Sequence, residues 1–214
     1  MELAKLFDHA ILKPTQTDED LKRECGIARE YEVASVCVKP YHVKLAKELL
    51  TGSIVEVGTV IGFPHGGNAT ETKVQEACEA IEDGATEVDM VVNIGKVVSG
   101  DYEYVKNDIQ KVVDTAHSKG ALVKVIFETC YLNEEQKIKL CQICSEVEAD
   151  YVKTSTGFGT NGATLEDIEL MKKHVSNGVK IKASGGIRTK EQAEAFAKAG
   201  CQRLGVSATK DILG

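Results

Sequence analysis

The sequence lacks any run of apolar residues that approaches the roughly 20 needed to cross a membrane. It also lacks an excess of positive charge, since 26 Lys and Arg against 33 Asp and Glu give a formal charge of −7. Such a balance does not suit a nucleic-acid surface, and we expect neither a nucleic-acid partner nor a membrane partner. The first residues show no basic start before a long apolar stretch, so we expect no secretory signal.

The cysteines and histidines show no arrangement typical of disulfides or of metal sites. Seven cysteines scattered over 214 residues are an odd number, which favours free thiols in a reducing compartment. Cys141 and Cys144 form a CxxC pair, but no second pair follows, so we interpret both as packing residues of a helix. The five histidines form no cluster with ligand spacing. We therefore expect a cytoplasmic protein that needs no metal and no cofactor.

Short β-rich runs alternate with longer helical patterns along the whole chain. With 43% hydrophobic residues, the sequence can fill a core, and we expect residues 1–214 to form one domain. The predicted strands are Leu6–Ala10, Val33–Val38, Ile54–Ile61, Val88–Val92, Leu122–Phe127, Tyr151–Thr154, Val179–Ala183 and Arg203–Val206. Eight strand–helix units predict an α/β fold, the (β/α)8 TIM barrel, with a doubly wound open sheet as the alternative.

The predicted helices show apolar residues at helical spacing and recognisable ends. They cover Asp18–Glu30, Thr70–Asp83, Tyr102–Ser118, a segment after Asn133, Leu165–Val175 and Lys190–Ala199. Asn133 and Gln136 have the spacing of a capping box, and Gly200 stands where a helix should end. These patterns favour helices packed outside a parallel sheet.

Several predicted strands carry a charge at their centre, where a strand covered by helices should be apolar. Asp89, Lys124, Lys153 and Lys182 lie on the fourth to seventh strands, and Glu128 follows the fifth strand on the same face as Lys124. Because the apolar set of a barrel strand packs outward against helices, these charged groups should point into the barrel. Buried charges must be paired, so this arrangement indicates a functional site.

Lysines crowded inside a barrel have a specific chemical use. A lysine that is partly desolvated and close to a second lysine loses proton affinity. Its uncharged amine can attack a carbonyl and form a Schiff base, and the protonated imine then withdraws electrons from the adjacent carbon–carbon bond. An aspartate nearby is the natural partner for moving protons. The constellation therefore predicts bond cleavage or formation next to a carbonyl without a metal.

Glycine-rich loops follow the predicted strands and are typical of phosphate sites. Gly185 and Gly186 follow the seventh strand, and Gly205 and Ser207 lie at the end of the eighth. Glycines let backbone N–H groups approach an anion, and these two loops often hold phosphate in this barrel class. Gly157 follows the sixth strand and can add a further donor. We expect a small phosphorylated carbonyl compound as the ligand.

The sequence resembles the deoxyribose-phosphate aldolase family of class I aldolases almost from end to end. The motifs that carry the resemblance are DHAILKP at 8–14, SVCVKP at 35–40, GFPHG at 62–66, EVDMV at 87–91, KVIFET at 124–129, YVKTSTGF at 151–158 and KASGGI at 182–187. The resemblance implies reversible cleavage of 2-deoxy-D-ribose 5-phosphate to D-glyceraldehyde 3-phosphate and acetaldehyde. It also implies a small sugar phosphate as partner, and we expect a homo-oligomer, a dimer or a tetramer.

By this resemblance, Lys153 forms the imine, Lys182 perturbs it and relays protons, and Asp89 works with Lys182 as acid and base. The resemblance also assigns phosphate contacts to four residues, Gly185, Gly186, Gly205 and Ser207. We include Asp8, Lys124 and Glu128 as members of the surrounding polar network.

Two positions depart from the family pattern, and three other functions remain open. Ala10 stands where members commonly have Thr, and Phe158 where some have a lysine that can hold phosphate. The first alternative is another Schiff-base aldolase or transaldolase that acts on a different sugar phosphate. A phosphate-binding barrel without catalysis would need the glycine loops but not the lysines. A metal-dependent aldolase or isomerase would need a His/Glu ligand set, which the predicted strand ends lack.

Overall fold

Eight parallel strands form a barrel in the computed structural model, which describes residues 3–214. The first two residues of the predicted domain, Met1 and Glu2, lie outside the described part. The strands are Phe7–Ile11 (β1), Ser35–Val38 (β2), Glu56–Ile61 (β3), Glu87–Val91 (β4), Leu122–Ile126 (β5), Tyr151–Lys153 (β6), Lys180–Ser184 (β7) and Arg203–Val206 (β8). Each strand pairs with the next in sequence.

The sheet closes between its first and last strands. Phe7 of β1 is in register with Leu204 of β8, and Asp8 with Gly205. The predicted (β/α)8 barrel is therefore confirmed, and the open doubly wound sheet is ruled out. Closure also brings the carboxyl ends of all eight strands to one face of the barrel, which is where sites form in this architecture.

Nine α-helices lie within residues 3–214 and connect or follow the strands. They are Asp18–Glu30 (α1), Val43–Leu49 (α2), Thr70–Glu82 (α3), Ile94–Val98 (α4), Tyr102–Ser118 (α5), Glu134–Glu146 (α6), Leu165–His174 (α7), Lys190–Ala199 (α8) and Thr209–Leu213 (α9). Three single turns of 3₁₀-helix cover Leu3–Leu6, Pro40–His42 and Thr129–Tyr131. None of the helices in this part of the chain has the length and apolarity to cross a membrane.

The helix ends follow the chemistry of their sequences. The Asn133 side chain accepts from the Gln136 N–H at 2.9 Å, and the Gln136 side chain accepts from the Asn133 N–H at 2.9 Å. This is the predicted capping box, and it begins α6. Gly200 ends α8 in the left-handed conformation, with φ of 116°, as predicted for a glycine at that position.

The predicted boundaries differ from the structure in several places. The first strand begins at Phe7 because Leu6 closes a 3₁₀ turn, and β6 ends at Lys153 rather than Thr154. The sequence patterns also missed α2, α4 and α9. These helices have only five to seven residues, too few for a repeating apolar stripe to stand out.

The apolar and charged faces of the strands separate as their alternation requires. On β4, Val88 and Met90 are fully buried in the apolar core between strands and helices. Asp89, between them, is also fully buried, but its carboxylate contacts lysines of other strands. The barrel interior is thus lined by charged groups and the outer layer by apolar ones, as predicted.

Candidate active site

Asp89 lies at the centre of the charges inside the barrel. Its Oδ2 atom accepts from Lys153 Nζ at 2.7 Å and from Lys182 Nζ at 2.8 Å. Its Oδ1 atom accepts from Lys124 Nζ at 2.7 Å. The register sets this geometry, because Lys153 of β6 lies directly beside Lys182 of β7, and Asp89 of β4 beside Lys124 of β5. The two lysines named for catalysis thus share one carboxylate oxygen.

Two further carboxylates and an arginine complete the group below Asp89. Lys124 Nζ also contacts Glu87 Oε2 at 2.7 Å, and Lys182 Nζ donates to the Asp8 carboxylate. Arg203 Nη1 donates to Asp8 Oδ1 at 2.6 Å, and its Nη2 donates to Glu87 Oε1 at 2.7 Å. We call the seven residues the interior charge cluster; they are Asp8, Glu87, Asp89, Lys124, Lys153, Lys182 and Arg203.

The interior charge cluster holds three acidic and four basic groups, so it is balanced when one basic group is uncharged. Within the described residues, Lys153 contacts a single carboxylate, whereas Lys124 and Lys182 each contact at least two. Arginine does not give up its proton in proteins. Of the four basic groups, Lys153 is therefore the lysine whose charge the carboxylates stabilise least.

The pKa values of the cluster shift in the direction that this balance requires. Burial lowers the pKa of Lys153, and the charge of Lys182 lowers it further against the attraction of Asp89. Burial opposes the charge on Lys182, but Asp8 and Asp89 outweigh it and raise the pKa of its ammonium. Burial likewise opposes the charge on Asp89, but the lysines, Lys124 first among them, hold the pKa of its carboxyl well below the usual value. Lys153 is therefore the lysine best able to act as a free amine.

A cavity of about 330 Å³ opens above the cluster at the carboxyl ends of the strands. Asp8, Lys153 and Lys182 line its floor. Asp89 and Lys124 are not among its lining residues and contact those groups from beneath. A carbonyl compound in this cavity can reach the Lys153 amine, while the groups that set its charge stay shielded from solvent.

The glycine loops form the other side of the same cavity. All five predicted phosphate residues line it: Gly157, Gly185, Gly186, Gly205 and Ser207. Gly185 and Gly186 have φ of 85° and 79°, a conformation that favours glycine. A Cβ on Gly205 would lie 2.7 Å from Ser184 Cβ, so that position has no room for a side chain. The predicted imine residue and the predicted phosphate loops therefore meet in one cavity.

Glu128 does not line this cavity but supports one of its loops. It is buried, with φ of 56°, and its carboxylate accepts from the Thr156 hydroxyl and, at 3.2 Å, from the Thr156 N–H. The Thr156 hydroxyl oxygen in turn accepts from the Phe158 N–H at 3.0 Å. Glu128 thus fixes the loop that carries Gly157.

Sequence reasoning assigned no role to several residues that the structure brings to the site. Glu87 and Arg203 belong to the interior charge cluster, and strand parity could have found both, because they face the same way as Asp89 and Gly205. Arg188 lines the cavity from the loop after β7. Phe158 also lines it and packs edge-to-face against Phe63, with ring centroids 5.4 Å apart. Nothing in the sequence pattern marked this aromatic pair.

The cysteines and histidines do not add a metal site to this region. Among residues 3–214, no three His, Cys, Asp or Glu side chains are grouped so as to hold a metal ion. Cys141 and Cys144 are buried in α6, and burial raises the pKa of the Cys141 thiol to about 12. Cys37 lines the cavity, as its inward parity predicts, and burial raises the pKa of its thiol to about 11.

Comparison with known proteins assigns the chain to a family. The model of the family described as DeoC/LacD family aldolase matches residues 3–210. A deoxyribose-phosphate aldolase of Thermococcus gammatolerans is 57% identical over 97% of this chain and 93% of its own length. A solved structure of a putative deoxyribose-phosphate aldolase from Coccidioides immitis is 40% identical, with a TM-score of 0.95 over 99% of this chain and 84% of its own. The tetrameric deoxyribose phosphate aldolase of Aeropyrum pernix is 32% identical, with a TM-score of 0.92 over 99% and 89% of the two chains. The chain belongs to the DeoC/LacD family of aldolases.

Proposed function

We propose that the protein is a metal-independent class I aldolase that cleaves 2-deoxy-D-ribose 5-phosphate reversibly to D-glyceraldehyde 3-phosphate and acetaldehyde. The observation that carries the proposal is the position of Lys153. It lies on the floor of a cavity walled by glycine loops, and its contacts make it the lysine of the interior charge cluster that loses its proton. The relatives named deoxyribose-phosphate aldolase, 50–57% identical to this chain, support the choice of substrate.

The first step joins Lys153 to the aldehyde of the open-chain sugar. The neutral Nζ attacks C1, and the resulting carbinolamine must lose its hydroxyl as water. Lys182 supplies the proton for that departure, so it becomes neutral while the imine becomes positively charged. The cluster therefore holds three positive charges before and after the step, balanced by Asp8, Glu87 and Asp89.

The second step breaks the bond between C2 and C3. Neutral Lys182 removes the proton of the C3 hydroxyl, the C2–C3 electron pair moves into the imine, and glyceraldehyde 3-phosphate leaves. The nitrogen becomes a neutral enamine as Lys182 becomes an ammonium, so the number of positive charges again stays at three. Asp89 Oδ2, within 2.8 Å of both Lys153 Nζ and Lys182 Nζ, holds the two lysines in reach of the same substrate atoms.

The last step returns the enzyme to its resting state. Lys182 gives its proton to C2 of the enamine, water then adds to the positively charged imine and returns a proton to Lys182, and the carbinolamine releases acetaldehyde from neutral Lys153. Throughout the cycle one proton passes between Lys182 and the substrate, and no buried charge is left unbalanced. This constant charge balance matters because an uncompensated buried charge costs about 3–5 kcal/mol.

We further propose that the substrate phosphate lies against the loops that carry Gly157, Gly185, Gly186, Gly205 and Ser207. Backbone N–H groups and the Ser207 hydroxyl can donate to the phosphate oxygens. These loops face Lys153 across one cavity, which suits a ligand with a carbonyl at one end and a phosphate at the other.

We also propose that the enzyme is a cytoplasmic homo-oligomer, a dimer or a tetramer. The tetrameric Aeropyrum pernix relative supports an oligomer. All seven cysteines lie in the described residues as free thiols, which suits a reducing compartment. Light scattering of the purified protein at several concentrations tests the oligomer, and a monomer throughout would contradict it.

Borohydride trapping tests the catalytic role. Acetaldehyde and borohydride together should add one ethyl group to the chain, and peptide mapping should find it on Lys153. An adduct on Lys182 or Lys124 would contradict the assignment. Cleavage of deoxyribose 5-phosphate should persist with a chelator present, and activity that a metal restores would contradict the imine mechanism.

The same experiment separates the alternatives. A phosphate-binding barrel without catalysis and a metal-dependent enzyme would form no adduct. Another Schiff-base aldolase or transaldolase would form one but would not cleave deoxyribose 5-phosphate.

A further inference from the structure

The loop between β8 and α9 carries one of the proposed phosphate contacts, Ser207, and follows the strand that contains another, Gly205. It ends at Thr209, the first residue of α9, whose side chain is fully buried. α9 has five residues and no side-chain hydrogen bond from its cap residue, Ala208. Something other than a helix cap must therefore hold this end of the loop.

His9 of β1 makes that contact. It lies on the opposite face of the strand from Asp8 and is 1% exposed. Its Nδ1 atom is 2.8 Å from Thr209 Oγ1, and its Nε2 atom is 2.9 Å from Glu24 Oε2 on α1. The hydrogen bond from His9 lowers the pKa of the Glu24 carboxyl, so Glu24 holds the ring as an ionised acceptor. The ring is fixed with Nδ1 toward the hydroxyl of Thr209.

His9 also holds the other end of the same loop. Its backbone is in register with Val206, the last residue of β8. The strand pairing thus places Val206, and the imidazole places Thr209. Ser207 lies between Val206 and Thr209, so its position depends on His9 of β1.

We infer that His9 is a positioning residue for substrate phosphate, acting through Thr209 and the loop that carries Ser207. This inference rests on the proposed phosphate site. The loop must present its donors to an anion in one arrangement. If the loop were not held at Thr209, the entropy lost in ordering it would weaken ligand binding. His9 does not line the cavity, and its side chain bonds to Thr209 and Glu24 rather than to the interior charge cluster, so we assign it no direct part in the chemistry.

Two substitutions of His9 separate its two hydrogen bonds. In His9→Asn the amide takes the place of Nδ1 and can still reach Thr209, whereas in His9→Gln the amide takes the place of Nε2 and reaches Glu24. We expect His9→Gln to raise KM for deoxyribose 5-phosphate by about fivefold to tenfold, the effect of one hydrogen bond. KM for unphosphorylated deoxyribose should change less than about twofold, as should kcat for both substrates. His9→Asn should stay within about twofold of the wild type on both substrates.

Thr209→Val removes the hydroxyl at nearly constant volume and should reproduce His9→Gln, while Thr209→Ser should not. His42 provides a matched control, because it is also 1% exposed and its Nε2 lies 2.9 Å from a carboxylate oxygen, that of Asp18. It does not line the cavity, so His42→Asn should lower stability and leave both KM values unchanged.

The outcomes distinguish the inference from the function on which it rests. Equal KM changes for both substrates in His9→Gln, or no change, would overturn the positioning role. An equal KM rise in His42→Asn would mean that loss of any buried histidine has this effect, and would also overturn it. If the wild type itself showed no preference for the phosphorylated sugar, the proposed phosphate site would fail instead.

Discussion

Replacing Lys182 with Met should cause Lys153 to take up a proton from the solvent. The interior charge cluster contains three carboxylates and, with Lys153 neutral, three positive charges. Lys182→Met removes one of these, and Asp89, which contacts Lys153 Nζ at 2.7 Å, then lacks a cation on that side. Lys153 restores the balance if it takes up a proton, but a protonated lysine cannot attack a carbonyl.

The size of the effect follows from the cost that proton uptake avoids. Removing one partner of a buried ion pair costs about 3–5 kcal/mol when nothing replaces it. Since 1.36 kcal/mol is a tenfold change in equilibrium, the fraction of free amine at pH 7 should fall by at least about a hundredfold. The trapping rate with acetaldehyde and borohydride should fall with it. It should recover as the pH rises, because alkaline solution removes the added proton.

Unfolding experiments provide an independent measure of the same proton. Lys153→Met should cost about 1 kcal/mol, because it removes one hydrogen bond and leaves three charges of each sign. Lys182→Met should lower the free energy of unfolding by less than the full amount of about 3–5 kcal/mol, because Lys153 can take up a proton. The double variant lacks Lys153 and should lose the full amount. The double variant should therefore melt about 6–20 °C below Lys153→Met.

Lys182→Arg is the matched control for charge. It keeps a cation beside Lys153, so trapping at neutral pH should exceed that of Lys182→Met. Turnover should stay slow, because guanidinium does not readily give up a proton. If Lys182→Met kept the wild-type pH profile of trapping, Lys182 would not set the charge of Lys153. Additive stability losses in the double variant would refute the charge balance itself.

Three further substitutions test other parts of the structure. Gly186→Val should raise KM for deoxyribose 5-phosphate more than for deoxyribose, because a φ of 79° disfavours a side chain and the strain would shift the proposed phosphate donors; equal effects in a cleavage assay would mean that the glycine serves the fold. Phe158→Lys should lower KM for the phosphorylated sugar severalfold by adding a cation to the cavity, and added salt should reverse the gain. Lys73→Met should cost about 3–5 kcal/mol in urea unfolding, because Lys73 Nζ lies 2.6 Å from Asp108 Oδ2 and both side chains are fully buried; a loss below about 1 kcal/mol would show that the pair stabilises little.

The barrel and the central lysines were accessible from sequence because both depend on strand alternation. When helices cover the outside of a barrel, charged residues that alternate with apolar ones along a strand must point into the barrel interior. Strand alternation alone thus places Asp89, Lys124, Lys153 and Lys182 together inside the barrel. The structure adds the feature that distinguishes Lys153: among the described residues it contacts only the Asp89 carboxylate, whereas Lys182 contacts Asp8 as well.

The missing parts depend on contacts between distant segments. Glu87 and Arg203 lie 116 positions apart, and only closure of the barrel makes them partners. His9 meets Thr209 because β1 pairs with β8 and α9 folds back beside α1. The short helices carry too few residues for periodicity to reveal them. Local patterns thus located the groups proposed to perform the chemistry but not the residues that hold them in place.

The division of labour between strands and loops has a consequence for how new specificities can arise. The residues proposed to make and break bonds belong to strands whose register is locked by neighbours on both sides, and a one-residue insertion there would turn Lys153 or Lys182 outward. Four of the five proposed phosphate residues lie in loops that begin where that register ends, and the length of these loops is not bound by it. Selection or design can therefore change which group is accepted at the phosphate end of the substrate by rebuilding these loops. The proposed imine chemistry on the strands would stay unchanged.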